Sequence, residues 1–89
     1  MTVAFTADAW EHYIFWQEND SQVLDKINEL IKDINRDPFR GLGKPEPLKG
    51  DLTGYWSRRI TGEHRLVYRV QGIKPEQLVV VIHARFHYQ

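Results

Sequence analysis

The spacing of apolar residues changes once along this chain, and that change limits the folds open to it. Before Gly54 the apolar residues recur every three or four positions, as in amphipathic helices, and after it they alternate, as in strands. One helix is predicted after Thr6, whose hydroxyl suits an N-cap, and a second is predicted to end before Pro38. Asn19 and Asp20 interrupt the pattern, so the sequence predicts a helical hairpin.

In the second half of the chain, the alternating pattern predicts three strands, at residues 55–60, 64–70 and 78–88. A further short strand at residues 3–5 is expected at an edge of the sheet. The connections between the later strands are short, which favours antiparallel pairing. The predicted fold class is therefore α+β in the order β-α-α-β-β-β, with two N-terminal helices packed on one face of a mostly antiparallel sheet.

Alternation within the strands predicts which side chains face the helices. These are Leu66, Tyr68 and Val70 in one strand, and Leu78, Val80, Ile82, Ala84 and Phe86 in the last. The opposite face is expected to carry arginines and histidines. In the first helix, Trp10 and Tyr13 share one face and are expected in the core.

Size and composition predict one soluble domain spanning residues 1–89. The chain has 89 residues, 42% of them hydrophobic, and no Cys, which excludes disulfides and thiolate metal sites. The longest apolar run, residues 78–82, is far too short to span a membrane, and the first residues lack the features of a signal peptide. We therefore expect a cytoplasmic protein with no membrane association.

The formal charge is zero overall but is divided along the chain. Residues 1–35 hold two Lys or Arg against seven Asp or Glu, whereas residues 36–89 hold ten against five. The basic half also carries aromatic residues, a combination that attracts phosphates and stacks on unpaired bases. Ordinary solvated strand faces without a nucleic-acid partner are the alternative.

His83 and His87 have the spacing of a helical metal pair, but they fall in a predicted strand. Four residues of a strand span about 13 Å, too far for both imidazoles to share one ion. No metal and no cofactor are therefore predicted.

A stiff loop, KPEPLK, places Glu46 between Pro45 and Pro47. With Arg65 and His87 it supplies the groups that cleave RNA without a metal: a base, a cation for the phosphate and an acid. Each residue also has an ordinary alternative. In that alternative, Glu46 is a loop acid paired with Lys44 or Lys49, and Arg65 is a surface cation opposite Glu63. His87 and Tyr88 are then only a polar chain end.

The stretch GKPEPLKGDLTGYWSRRITGEHRLVYRV, with KINELIKDINRDPF before it and ARFHY at the end, closely resembles the YoeB toxins of the RelE-like superfamily. The resemblance covers essentially the whole chain. It implies a ribosome-dependent mRNA endonuclease that acts in the ribosomal A site and is silenced by an acidic, YefM-like antitoxin. It also implies a homodimer that meets operator DNA only through the antitoxin.

The resemblance implies roles for particular residues. Glu46 corresponds to the general base, Arg65 to the phosphate stabiliser, His87 to the general acid and Tyr88 to a substrate-positioning residue. We expect the RNA to be bound by basic residues of the same region: Lys44, Lys49, Arg58 and Arg59. Cations near Glu46 favour its charged form and weaken it as a base, so message and ribosome are expected to complete the site.

Two other functions fit parts of the sequence. A ParE-like gyrase poison would share the superfamily and the fold, although Glu46 with His87 and Tyr88 argues against it. A non-catalytic ribosome- or RNA-binding module would need only the basic, aromatic face.

Overall fold

Two α-helices and five strands make up the part of the chain that the structure describes, residues 1–86 of a computed structural model. In chain order they are β1 (Thr2–Phe5), α1 (Ala7–Asn19), α2 (Ser21–Arg36), β2 (Glu46–Pro47), β3 (Tyr55–Arg59), β4 (Arg65–Gln71) and β5 (Leu78–His83). The sheet order is β1-β5-β4-β3-β2, with β1 parallel to β5 and the other neighbours antiparallel. The predicted α+β fold class is confirmed, and the element order contains one strand, β2, that was not predicted.

A side-chain cap sets the start of each helix. The Thr6 hydroxyl accepts a hydrogen bond from the Ala9 N–H at 3.2 Å, as predicted for an N-cap. Asp20 ends α1, and its carboxylate accepts from the N–H groups of Gln22 and Val23 at the start of α2. The predicted hairpin is thus built around one residue. Neither helix within residues 1–86 is long and apolar enough to cross a membrane.

The core lies between the helices and one face of the sheet. It is formed by buried side chains from α1, α2, β4, β5 and the residues just after β3 and β5: Ala9, Trp16, Ile27, Leu30, Ile34, Ile60, Leu66, Tyr68, Val79, Val81 and Ala84. Leu66 and Tyr68 confirm the predicted inner face of β4, and Val70 packs against them partly buried.

The predicted inner face of β5 is wrong. Val79 and Val81, rather than Leu78, Val80 and Ile82, lie in the core. Residues 78–82 are all apolar, so alternation contains no information about which set faces inward. The pairing with β4 decides it, because Val79 and Val81 stand opposite Val70 and Tyr68, and paired residues share a face.

The last strand is also shorter than predicted. β5 ends at His83, next to a register shift between Val67 and Tyr68 of β4. Ala84 is in the core as predicted, but Phe86 is 53% exposed rather than inward-facing. Residues 87–89 lie outside the described part of the chain.

The prediction that Trp10 lies in the core is wrong. Its side chain is 50% exposed, and the buried positions of α1 are Ala9 and Trp16 instead. The Trp10 ring stacks on Tyr13 with centroids 5.5 Å apart and meets the edge of Phe5. The aromatic residues at the start of α1 therefore form a half-exposed cluster at the rim of the core.

Arg58, in β3, is fully buried and joins three parts of the fold. Its Nη1 donates to the Asp33 carboxylate of α2, and its Nε donates to the Tyr68 hydroxyl of β4 at 3.0 Å. The remaining donors reach the carbonyl oxygens of the loop after α2: Asp37, Arg40 and Leu42. The loop is fastened by side-chain donors because it makes few backbone ladder bonds of its own.

The same loop passes very close to α2 and β3 at Gly43. Its φ is +76°, and a Cβ there would lie 2.9 Å from Leu30 Cδ2 and 3.0 Å from the Arg59 carbonyl oxygen. Glycine is therefore required twice, for the backbone angle and for the space. The Gly43 carbonyl accepts from the Arg59 N–H at 2.7 Å, which ties the loop to β3.

Replacing Arg58 by Met is expected to lower the free energy of unfolding by about 3–5 kcal/mol, because it leaves a partly buried carboxylate and loop carbonyls without their donor. The matched control is Arg59→Met, since Arg59 is the next residue and exposed. We expect a change within about 0.5 kcal/mol for the control. Urea denaturation measures both, and equal midpoints for the two variants would contradict the role given to Arg58.

The lowered pKa of Asp33 predicts how the stability of the fold depends on pH. A hydrogen bond from the Leu42 N–H and another from Arg58 lower the pKa of Asp33 from 3.8 to about 2. A carboxyl group with a lowered folded-state pKa stabilises the fold above its unfolded-state pKa and loses that effect as the pH falls from about 4 to about 2. The stability gap between the wild type and Asp33→Asn is therefore expected to be widest near neutral pH and to narrow over that range. Urea midpoints measure the gap against an Asp25→Asn control on the same helix, and a constant gap would refute the assignment.

Candidate active site

Glu46 lies on a two-residue strand at the edge of the sheet. It stands opposite Ser57 of β3, and the Leu48 N–H donates to the Tyr55 carbonyl at 2.9 Å just beyond it. Proline is accepted here because an edge strand has one side without a partner. The structure thus gives the stiff loop a fixed course along β3, with the Glu46 side chain exposed.

Alternation shows which face Glu46 occupies. Trp56 and Arg58 of β3 point toward the helices, so the residues between and beside them point away. Their partners across the sheet share that direction. The side of the sheet away from the helices, here called the open face, therefore carries Glu46, Tyr55, Ser57, Arg59, Arg65, Val67 and Arg69.

The structure brings Glu46 and Arg65 onto the same face of the sheet, although Glu46 was predicted in a loop rather than in a strand. Glu46 pairs with Ser57 of β3, and Ser57 pairs with Val67 of β4. Arg65 lies two residues before Val67 on the same strand. Standard sheet spacings put their Cα atoms about 12 Å apart. Ser57 and Val67 lie between them on the same face, and both are buried.

The guanidinium of Arg65 is held in place by the turn between β3 and β4. Its Nη1 donates to the carbonyl oxygens of Thr61 at 2.8 Å, Gly62 at 3.3 Å and His64 at 3.1 Å. Within residues 1–86 its hydrogen bonds all use Nη1, so the Nε–Nη2 edge remains for a bidentate contact with an oxyanion. The Glu63 carboxylate lies 3.7 Å from His64 Nε2 rather than against Arg65.

The remaining predicted RNA-binding residues divide into two groups. Lys44, Lys49 and Arg59 are exposed. In the described part of the chain no ion pair joins Glu46 to Lys44 or Lys49, so its carboxylate is not neutralised by either lysine.

The prediction that Arg58 binds substrate is wrong. Its side chain is fully buried on the helix side of the sheet, and its donors are used by Asp33, Tyr68 and the loop carbonyls. Burial raises the pKa of the Tyr68 hydroxyl, which donates to the Pro38 carbonyl at 2.6 Å. Sequence spacing alone does not distinguish Arg58 from Arg59, because adjacent strand residues differ only in the face they occupy.

Two of the predicted catalytic residues, His87 and Tyr88, lie outside the described residues. The last described residue, Phe86, is held beside Arg65: the Arg65 N–H donates to the Phe86 carbonyl at 3.0 Å. Three further side chains fasten this part of the chain, and sequence reasoning did not identify them: His12, Trp16 and His64. No sequence pattern marks them, because each contact joins residues more than twenty positions apart.

Among residues 1–86, no group of three His, Asp or Glu side chains is arranged to hold a metal ion. The His83 ring packs edge-on against His12 of α1, with centroids 4.6 Å apart. Burial, together with the nearby His12, lowers the pKa of His83 to about 4. His83 is therefore neutral at physiological pH.

Known proteins resemble this chain over its whole length. The family model described as the YoeB-like toxin of bacterial type II toxin-antitoxin systems matches residues 5–88. Toxin YoeB of Streptomyces coelicolor is 54% identical over 88 residues, covering 99% of this chain and 100% of the relative.

Solved structures agree with the sequence comparison. A YoeB/ParE toxin from Agrobacterium tumefaciens superposes with a TM-score of 0.94 at 57% identity, covering 99% of this chain and 100% of that one. The YoeB of a YoeB–YefM complex from Staphylococcus aureus superposes with a TM-score of 0.87 at 43% identity, covering 99% and 98%. YoeB from the same organism is also known as a dimer, with a TM-score of 0.88 at 44% identity and the same coverage. This chain belongs to the YoeB-like family of toxins from bacterial type II toxin-antitoxin systems.

Proposed function

We propose that this toxin is an endoribonuclease that cleaves mRNA in the ribosomal A site without a metal ion and so inhibits translation. One observation carries the proposal: Glu46 and Arg65 share the open face, and the residue before His87 is hydrogen-bonded to Arg65. The open face thus combines a carboxylate and a guanidinium, and His87 follows in sequence the residue that is bonded to Arg65.

In the proposed reaction, Glu46 takes the proton from a ribose 2′-hydroxyl. The 2′-oxygen attacks the adjacent phosphorus, and Arg65 stabilises the negative charge that grows on the non-bridging oxygens. The bond from phosphorus to the 5′-oxygen breaks as His87 donates a proton to that oxygen. The products are a 2′,3′-cyclic phosphate, which hydrolyses to a 3′-phosphate, and a 5′-hydroxyl.

The surrounding residues are proposed to hold the message. Lys44, Lys49 and Arg59 are exposed around Glu46 and supply positive charge for the phosphates. Tyr88 is proposed to position the substrate. Message and ribosome are proposed to complete the site.

The partners follow from the same site. The basic half of the chain suits an acidic, YefM-like antitoxin, and the YoeB–YefM complex of the S. aureus relative supports this partner. The dimer of that relative supports a homodimer here. Operator DNA is proposed to be contacted only through the antitoxin, and an enzyme that acts on translating ribosomes works in the cytoplasm.

Replacing Glu46 by Gln removes the base while keeping the size of the side chain. The expected result is a loss of cleavage of about 10²- to 10⁴-fold, the usual contribution of a general base. The matched control is Glu76→Gln, because Glu76 is an exposed acid in the loop before β5. Cleavage of message on purified ribosomes is measured by primer extension, with thermal unfolding to show that both variants are folded.

His87→Gln separates the nuclease from a module that only binds. A nuclease variant of this kind should still bind ribosomes but leave the message intact, whereas a binding module would inhibit translation as well as the wild type. Full toxicity of either Glu46→Gln or His87→Gln would overturn the proposed mechanism. Mapping of message 5′ ends after induction separates cleavage from gyrase poisoning.

The proposal that message and ribosome complete the site predicts that the free enzyme is inactive on naked RNA. The same transcript is incubated with the toxin alone and with the toxin plus programmed ribosomes. Cleavage is expected only with ribosomes. Equal cleavage of the naked transcript would show that the free protein already holds a complete site.

A further inference from the structure

Ala84 leaves the sheet just after β5, yet side chains of α1 bind both of its polar backbone groups. Its N–H donates to His12 Nδ1 at 3.1 Å, and its carbonyl oxygen accepts from Trp16 Nε1 at 2.8 Å. Ala84 is fully buried, so each bond replaces one that water would otherwise make. After β5 ends, side chains of α1 rather than a neighbouring strand thus supply the hydrogen-bond partners of the Ala84 backbone.

Phe86 is held in the same way by the start of β4. Its N–H donates to His64 Nδ1 at 2.7 Å, and its carbonyl oxygen accepts from the Arg65 N–H at 3.0 Å. The ring of His64 packs against the ring of Trp16 with centroids 4.8 Å apart, and this contact restricts the orientation of the His64 ring. Residues 84–86, here called the terminal segment, are therefore anchored at both ends.

The intervening Arg85 adds a third contact to the terminal segment. Its guanidinium carbon lies 3.5 Å from the centre of the Phe15 ring of α1 and 4.5 Å from that of Phe86. A planar cation stacked on an aromatic ring attracts it at that distance. Each residue of the terminal segment thus contacts at least one side chain from an earlier part of the chain.

The two histidine contacts require a defined protonation state. A ring nitrogen accepts a hydrogen bond only when it carries no proton, so Nδ1 of each histidine is bare and Nε2 carries the hydrogen. For His12, burial and then the nearby Arg85 lower the pKa, although Asp8 and Glu11 oppose the shift. The acceptor state of His12 therefore prevails at neutral pH.

The segment is held in a backbone conformation that it would not adopt alone. The φ of Phe86 is +67°, in the left-handed region that residues with a Cβ rarely enter. Such strain persists only where surrounding contacts over-determine it, and it clusters at functional sites. Here it lies one residue before His87 and beside Arg65.

We propose that His12 and His64 are positioning residues, which hold the terminal segment through their Nδ1 atoms, and that cleavage depends on this anchoring because His87 follows the segment directly in the sequence. They act on the reaction only through the backbone of Ala84 and Phe86. The anchoring follows from the contacts themselves, whereas its consequence for catalysis rests on the proposed nuclease function.

Three substitutions of His64 test the proposal. His64→Asn keeps an acceptor at the Nδ1 position, because its Oδ1 is the same number of bonds from the backbone. His64→Gln moves the amide one bond further out, and His64→Leu keeps the volume without an acceptor. The Asn and Gln pair decides the question even where His64→Leu does not fold.

Two readouts are combined on the full chain. Hydrogen exchange by NMR follows the Phe86 amide, with the Ala84 amide as the internal control because His12 holds it. Steady-state cleavage of message on ribosomes gives kcat and KM. For His64→Gln and His64→Leu we expect about tenfold faster exchange at Phe86 and about a tenfold lower kcat at unchanged KM, the equilibrium equivalent of one hydrogen bond. His64→Asn should recover most of both losses.

The outcomes separate the anchor from the nuclease. Unchanged exchange at Phe86 in the Gln and Leu variants, or equal kcat for Asn and Gln, overturns the positioning role. Wild-type protein that protects the Phe86 amide but cuts no message retains the anchor and refutes the proposed function. Equal changes at Ala84 and Phe86 would indicate general loosening of the fold and would also overturn the specific role of His64.

Discussion

The buried guanidinium of Arg58 is the contact on which the placement of Glu46 depends. It binds Asp33 of α2, Tyr68 of β4 and the carbonyl oxygens of the loop between α2 and β2. A cation in the interior is stable only when its donors are used, and here helix, sheet and loop each use some of them. The loop that leads to the edge strand therefore takes its course from the core, and the prolines beside Glu46 stiffen only the last few residues.

The sequence predicted those features that local chemistry decides. The Thr6 cap, the break at Asp20 and the change of period at Gly54 led to the correct helices and fold class. The errors lie where local chemistry is silent. Five consecutive apolar residues in β5 fit either face, and only the pairing with β4 chooses between them. Arg58 and Arg59 are adjacent and chemically identical, and the sheet buries one and exposes the other.

The candidate site shows the same division. The open-face position of Arg65 followed from strand alternation, whereas Glu46 was predicted in a loop and takes its position from the pairing of β2 with β3. The anchoring of residues 84–86 was out of reach, since His12 and Trp16 come from the first helix and His64 from the far side of a turn. Alternation treats His64 as an ordinary strand residue, whereas three-dimensional contact makes it an acceptor for the chain end.

The parallel pairing of β1 with β5 also affects how the toxin is synthesised. Val3 pairs with Val79, so β1 has no partner in the sheet until β5 has also been made and has left the ribosome. Contacts between residues so distant in sequence form late, because the entropy of closing a long loop is lost before the contacts form. Until then the nascent chain lacks the strand that leads into the terminal segment. The topology therefore leaves an interval during synthesis in which the helices are made but the sheet is incomplete.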